Sequence, residues 1–282
     1  NNTFSTVSGG AYNSALDQNT FMGGGRYNLA DASNGVIVGG AHNTAHGSYV
    51  AIGGGWKNKI DTNYGQVSGG FHNTVSGLAT TISGGGSSLA TGVYSTVSGG
   101  SANTIDGNYA VIAGGINNSV KSSEAVIGGG RDNRVGDSGD DTVIAGGRGN
   151  EAYATYVSIG GGWLNRVNTA SKFASIHGGY RNTLSHGFSS LIAGGGYQVV
   201  DGLYTVVSGG LQNNASANYA TIAGGLSNTM SGTESVIGGG NGNFVGPDSS
   251  DTVIAGGKAN SAYGRLASIG GGWRNVVATD AL

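Results

Sequence analysis

The chain has no cysteine, a single proline, and charged residues at only 10% of its 282 positions. The lack of cysteine excludes a disulfide framework, thiolate catalysis and thiolate metal ligands, and it fits a protein exposed outside the cell. Charge is balanced as well as scarce: 13 Lys and Arg face 15 Asp and Glu, for a net charge of −2. That leaves no basic field for the phosphates through which nucleic acids are mainly held, so no nucleic-acid partner is expected. No apolar run approaches the roughly 20 residues that cross a bilayer as a helix, and none has the build of a secretory signal. The chain starts in mid-pattern with "NNTFSTVSGG" and is expected to be a piece of something longer.

Glycine is what the chain has in excess, 59 residues. Disordered segments combine high net charge with few β-branched residues, whereas Val, Ile and Thr recur here throughout, so an ordered β protein is expected. Taking the second Gly of each Gly-Gly pair as a reference, the units step by 15 from Gly10 to Gly130. They then step by 15 to 17 through Gly147, Gly162, Gly179, Gly195 and onward to Gly272. Eighteen units of this short period specify a solenoid in which each coil is one turn of chain.

Three columns carry the fold. Three residues before the reference Gly every unit is aliphatic apart from Met22, as at Ile112, Ile127, Ile144, Ile159, Ile222, Ile237, Ile254 and Ile269. This predicts a core ladder. Five residues after the Gly every unit is again apolar, from Ala15 to Val277, which predicts a second strand facing the first. Three residues after the Gly stands Asn, replaced only by Ser88 and Gln198; stacked amides can hydrogen-bond from coil to coil, and Asn tolerates turns. The glycine pair supplies the corner, where φ is positive and backbones approach closely. Each coil then buries one large and one smaller apolar residue, about 3 kcal/mol against the entropy of some fifteen ordered residues. One such roll is marginal, which predicts lateral self-association. Val36, Val111, Val126, Val143, Leu191, Val206, Val236 and Val253, four before the Gly, should face outward and supply the surface.

A longer period overlies the coil. The stretch from Glu234 repeats that from Glu124 at an offset of about 110 residues, and the Trp coils at Gly55, Gly162 and Gly272 are seven units apart. A seven-coil block is duplicated, with no linker or composition shift between copies, so residues 1–282 are expected to form one domain of 15–17-residue repeats.

Units such as "STVSGGSANTIDGNYAVIAGGINNSV" resemble the YadA-like head repeats of trimeric autotransporter adhesins, over essentially the whole chain. The resemblance implies a left-handed parallel β-roll of about 18 coils, three chains around one axis, and display on the outer membrane of a Gram-negative bacterium. It further implies attachment to extracellular matrix protein, host cells or abiotic surfaces, and membrane anchorage only through parts outside this chain. This sequence departs from the commonest family pattern by its second Gly and about one more residue per coil, and it shows no neck or heptad stalk. Similar glycine-asparagine repeats could also serve phage or other extracellular fibres.

Candidate chemistry is sparse. "SIGGGWLN", from Ser158, looks like a phosphate loop, but it recurs at Ala51 and Ser268, and the next strand arrives where the phosphate-binding helix should begin. His42 and His72 lie two coils apart, about 9.6 Å by strand spacing, too far to share one metal. His177 stands two before the Gly and is expected either to be buried and hydrogen-bonded or, on a three-fold axis, to hold an ion. The acidic loops with Asp137, Asp140 and Asp141, and with Asp248 and Asp251, read as solvated turns, with calcium the alternative. No cofactor, metal or catalytic group is assigned.

Placement of charge says more. Ten of the 13 basic residues lie one to four places after the reference Gly, whereas acids gather in the second strand and return turn, predicting one basic and one acidic edge. The basic edge also carries aromatics, and Trp56, Lys57, Phe71, Trp163, Tyr180, Arg181, Trp273 and Arg274 form the candidate adhesive surface. Aromatic plus cation is typical of binding surfaces; a seam between chains would use the same residues. Six before the Gly, Tyr49, Tyr64, Tyr94, Tyr109, Tyr156, Tyr204 and Tyr219 recur at strand spacing and suggest packing. The expected function is a non-enzymatic adhesin head. A solenoid enzyme would need a six-residue period, or longer coils with clustered catalytic groups, and ice binding would need an unbroken Thr array.

Overall fold

The computed structural model describes residues 4–279. The fold is all-β, a parallel β-solenoid of about 18 turns with no helix among the described residues. It divides into two compact units between Asp137 and Ser138. The first holds the coils of Gly10 to Gly130, the second those of Gly147 to Gly272.

Within each unit every coil contributes two short strands to two parallel ladders. In the first unit the leading strands stack Ile82, Val97, Ile112 and Ile127 in register, and the trailing strands stack Ile60, Val75, Ala90 and Ile105. In the second unit Ile144, Ile159, Ile176 and Ile192 continue in register, as do Ile222, Ile237, Ile254 and Ile269. Nearly all of these side chains are wholly buried; Ile269, close to the end of the chain, keeps only 6% exposure. The alternate positions face out, so Val143, Val236 and Val253 are exposed while Val36, Val111, Val126, Leu191 and Val206 are half-buried.

A third ladder of single parallel bridges joins the residues one after each reference Gly, as in Trp56 to Phe71 and Trp163 to Tyr180. The reference Gly itself holds φ near +90°, and a Cβ at Gly162 would run into the Gly179 carbonyl oxygen of the next coil. The glycine is therefore required by both dihedral and close approach.

Buried asparagines tie coil to coil. Asn165 donates its Nδ2 to the carbonyls of Gly161 (2.9 Å) and Gly179 (3.0 Å), while its Oδ1 accepts the Asn182 backbone N–H at 3.1 Å. The sequence pattern pointed to amide–amide stacking. Such bonds form, as from Asn165 Nδ2 to Asn150 Oδ1 at 3.1 Å, and the amides also reach backbone groups, the Gly179 carbonyl taking the Trp163 N–H at 2.9 Å as well.

Two columns adopt the left-handed conformation without being glycine. The residue two after the reference Gly does so at His42, Lys57, Leu164 and Arg181, and the residue six before it does so at Tyr49, Tyr64, Tyr156 and Phe173, all with φ of 52–58°. This dihedral turns the N–H toward the preceding coil: Lys57 donates to the Ala41 carbonyl and Tyr64 to that of Ser48. The tyrosine column thus lies in return turns and not on strands. Its rings still stack, Tyr49 on Tyr64 at 5.3 Å and Tyr204 on Tyr219 at 5.2 Å, because identical turn positions recur at each coil.

Coils longer than fifteen residues keep both ladders and place their extra residues in the return turn. Fifteen-residue coils bury a small residue there, such as Gly77, Gly92, Ser122 or Gly202. In three of the longer coils Ser171, Gly187 and Ser249 are the buried small residues, and the exposed additions just before them are Thr169 and Ala170, His186, and Pro247 and Asp248.

Candidate functional site

The corner ladder positions the aromatic and basic candidates. Residues one or two after a reference Gly project from a backbone bonded to the neighbouring coils, on both sides at Trp56 and Trp163 and on one side at Trp273 in the last coil. Trp56, Trp163 and Trp273 are 44%, 46% and 63% exposed. In the first unit Lys57 Nζ lies 4.4 Å from the Trp56 ring centre, His72 meets the same ring edge-on at 4.6 Å, and Phe71 follows Trp56 in the bridge ladder. The Phe71 ring covers Gly86 on the next coil, occupying the place a Cβ would fill.

The second unit repeats this with other partners. The pairing of Tyr180 with Arg181 suggested by adjacency gives way to one across coils: the Arg181 guanidinium lies 5.6 Å from the Trp163 ring and 5.5 Å from that of Tyr197, and donates to the Tyr197 hydroxyl at 3.1 Å. Arg181 shares the left-handed backbone of Lys57 and Arg274 but reaches along the stack to rings on the coils either side. Tyr180 meets Tyr197 edge-on at 5.0 Å and covers Gly196. Arg274 lies 4.8 Å from the Trp273 ring. Such exposed cation–aromatic pairs contribute about 0.5–1 kcal/mol each, enough to bias these side chains toward contact before any partner arrives.

The expected split into a basic and an acidic edge is blurred where basic residues lie on the trailing strands and their return turns. Lys59 and Asp61 sit two apart on one strand, hence on one face, and form an ion pair of 2.5 Å. Arg166 pairs with Glu151 of the preceding coil at 3.1 Å, and Lys121 approaches Asp137 at 3.7 Å. Opposite charges interleave along the trailing strands and their return turns.

The histidines are peripheral. His42 stacks on Tyr27 at 5.0 Å, and His177 is exposed on its own chain, not buried. Among the described residues no three His, Asp or Glu side chains converge as metal ligands would, the acidic loops included. No described helix is long and apolar enough to cross a membrane. One feature had no signal in the sequence: a groove in the second unit between Tyr153 and His186, built from residues of unremarkable type on three successive coils.

No family model matches the chain, and no curated protein matches it.

Proposed function

We propose that the chain is the non-enzymatic head of a cell-surface adhesin, a left-handed roll associating laterally as a homotrimer and displayed at the outer membrane of a Gram-negative bacterium. In this reading it attaches to extracellular matrix protein, host cells or abiotic surfaces, and is anchored through parts outside this chain. The observation that carries the reading is the recurrence of half-exposed Trp beside a cation, Trp56 with Lys57, Trp163 with Arg181 and Trp273 with Arg274, on a rigid backbone ladder. Pre-ordered aromatic and cationic groups lose little freedom on contact, and they suit protein and solid surfaces alike. The outward aliphatic residues of the leading strands, among them Val143, Val236 and Val253, alternate with Ser and Thr as at Ser158 and Thr221 and offer apolar patches for neighbouring chains.

The test is retention of the purified chain on collagen-coated, fibronectin-coated and bare polystyrene wells, compared with a variant carrying Trp56→Ala, Trp163→Ala and Trp273→Ala. Retention should fall about tenfold or more, the scale of losing hot-spot contacts, with circular dichroism and the light-scattering mass unchanged. Unchanged retention would overturn the adhesive role of the stripe. Loss of the trimeric mass would instead make it a seam between chains, and a monomeric parent would remove the trimer.

A further inference from the structure

The groove of the second unit has a volume of about 370 Å³, within the roughly 300–1,000 Å³ of small-molecule sites. Its walls are the inserted residues: Thr169 and Ala170 from one coil and His186 from the next. Its floor is Arg166, on the trailing strand Arg166–Val167, with Tyr153, Asn168 and Ser185, each directly after the end of a trailing strand on successive coils. Both parts are held in place. The backbone N–H groups of Tyr153, Asn168 and Ser185 donate to Val167, Leu184 and Val200 at 2.9 Å, and buried Ser171 pins both walls by donating to the Asn168 carbonyl and accepting the Gly187 N–H, each at 3.0 Å.

We propose that this groove binds a neutral saccharide. Its charges are internally matched: Arg166 pairs with Glu151 at 3.1 Å and donates its Nε to Asn168 Oδ1 at 2.7 Å, and His186 Nδ1 meets Asp201 Oδ1 at 2.5 Å. Arg166 and His186 are the only groove-lining groups that can carry charge, and each is already met by a carboxylate beside the groove, Glu151 and Asp201, so no uncompensated charge is offered to an anion or a cation. What remains is a set of oriented planar groups with both donor and acceptor capacity. The Arg166 guanidinium and Asn168 amide offer further N–H groups, and the Thr169 and Ser185 hydroxyls can both donate and accept. Vicinal hydroxyls of a pyranose, each both donor and acceptor, match such a set. The Tyr153 ring, with Arg166 5.1 Å from its centre, and the Ala170 methyl supply apolar surface for the C–H face of a sugar. The groove is open and shallow, which suits one or two sugar rings at millimolar affinity.

The proposal does not depend on the Trp stripe and is tested apart from it. Ligand-observed NMR and calorimetry of the full chain would use lactose, maltose, cellobiose and chitobiose as neutral probes, and digalacturonate as the acidic one. At least one neutral disaccharide should bind with Kd near about 1 mM. Asn168→Ala and His186→Ala, both outside the core, should each weaken it about tenfold without lowering the melting temperature, while Trp163→Ala leaves it unchanged. Binding of digalacturonate alone, no neutral binding at about 20 mM, or binding that survives both groove substitutions would each overturn the proposal.

Discussion

The coils that carry Trp56 and Trp163 share the phrase IGGGW and the same internal plan, yet they present different surfaces. Ile52 and Ile159, Ile60 and Val167, and Asn58 and Asn165 are all wholly buried. Asn58 donates to the carbonyls of Gly54 and Gly70 at 2.9 Å, as Asn165 does to those of Gly161 and Gly179 at 2.9 and 3.0 Å. Outside the core the likeness stops. The first coil pairs Lys59 with Asp61 on its own trailing strand and returns through Thr62 and Asn63. The second carries two more residues, and its Arg166 reaches back to Glu151 and forward to Asn168. The ladders tolerate insertion in one place, ahead of the buried small residue of the return turn, so new surface accumulates there while the core stays constant.

The largest effect should come from breaking what the two levels share. Gly55 and Gly162 have φ of +92° and +90°, and a Cβ on either meets the carbonyl oxygen of the next corner. Gly55→Ala and Gly162→Ala should each cost about 4 kcal/mol in denaturant unfolding, combining left-handed strain with a backbone collision. A loss at one level and not the other would show that the corners are not equivalent.

Each unit also has one lapse in its asparagine ladder, and filling it should give a smaller effect of opposite sign. Ser88 takes the Asn103 N–H at a long 3.4 Å. Gln198 accepts the Asn213 N–H at 2.9 Å, but its buried Nε2 has no partner. Ser88→Asn and Gln198→Asn restore donors to the corner carbonyls, as Asn103 provides for Gly99 and Gly115 at 2.9 and 3.1 Å. Stability should rise by about 1 kcal/mol, more at Gln198, where a buried orphan is also removed. A fall in the melting temperature at Gln198 would contradict the ladder's role.

Much of this was legible in the sequence because the determining residues are chemically restricted at each repeat. Ile52 and Ile159 announce a core, Gly55 and Gly162 a corner, and Asn58 and Asn165 a buried turn. The left-handed positions were hidden, since His42, Lys57, Tyr64 and Arg181 carry no turn signature: the hydrogen bond to the preceding coil imposes the dihedral, whichever residue stands there. Side-chain partners were hidden too. Arg181 meets Trp163 and Tyr197 on the coils either side, whereas Lys57 and Arg274, with the same left-handed backbone, keep to their neighbours Trp56 and Trp273; Lys59 meets Asp61 because a strand has period two. The groove depends on where two inserted turns fall relative to strands on three coils, and no single residue type marks that.

Deleting Thr169 and Ala170 would convert the Trp163 coil to the length of the Trp56 coil and sharpen the comparison most directly. Asn168 would then be followed by Ser171, which is already buried and would take the place that Ser122 holds in a fifteen-residue coil. Both removed residues are exposed, and shortening a return turn by two residues changes closure entropy little. Stability should therefore move by no more than about 0.5 kcal/mol, the smallest of these effects, while one wall of the groove disappears. Unfolding of the deletion variant together with the neutral-disaccharide titration reads both consequences. A large destabilisation would mean that the inserted residues serve the fold. Intact stability with saccharide binding lost would place their role in recognition, on a coil whose core is indistinguishable from its counterpart at Trp56.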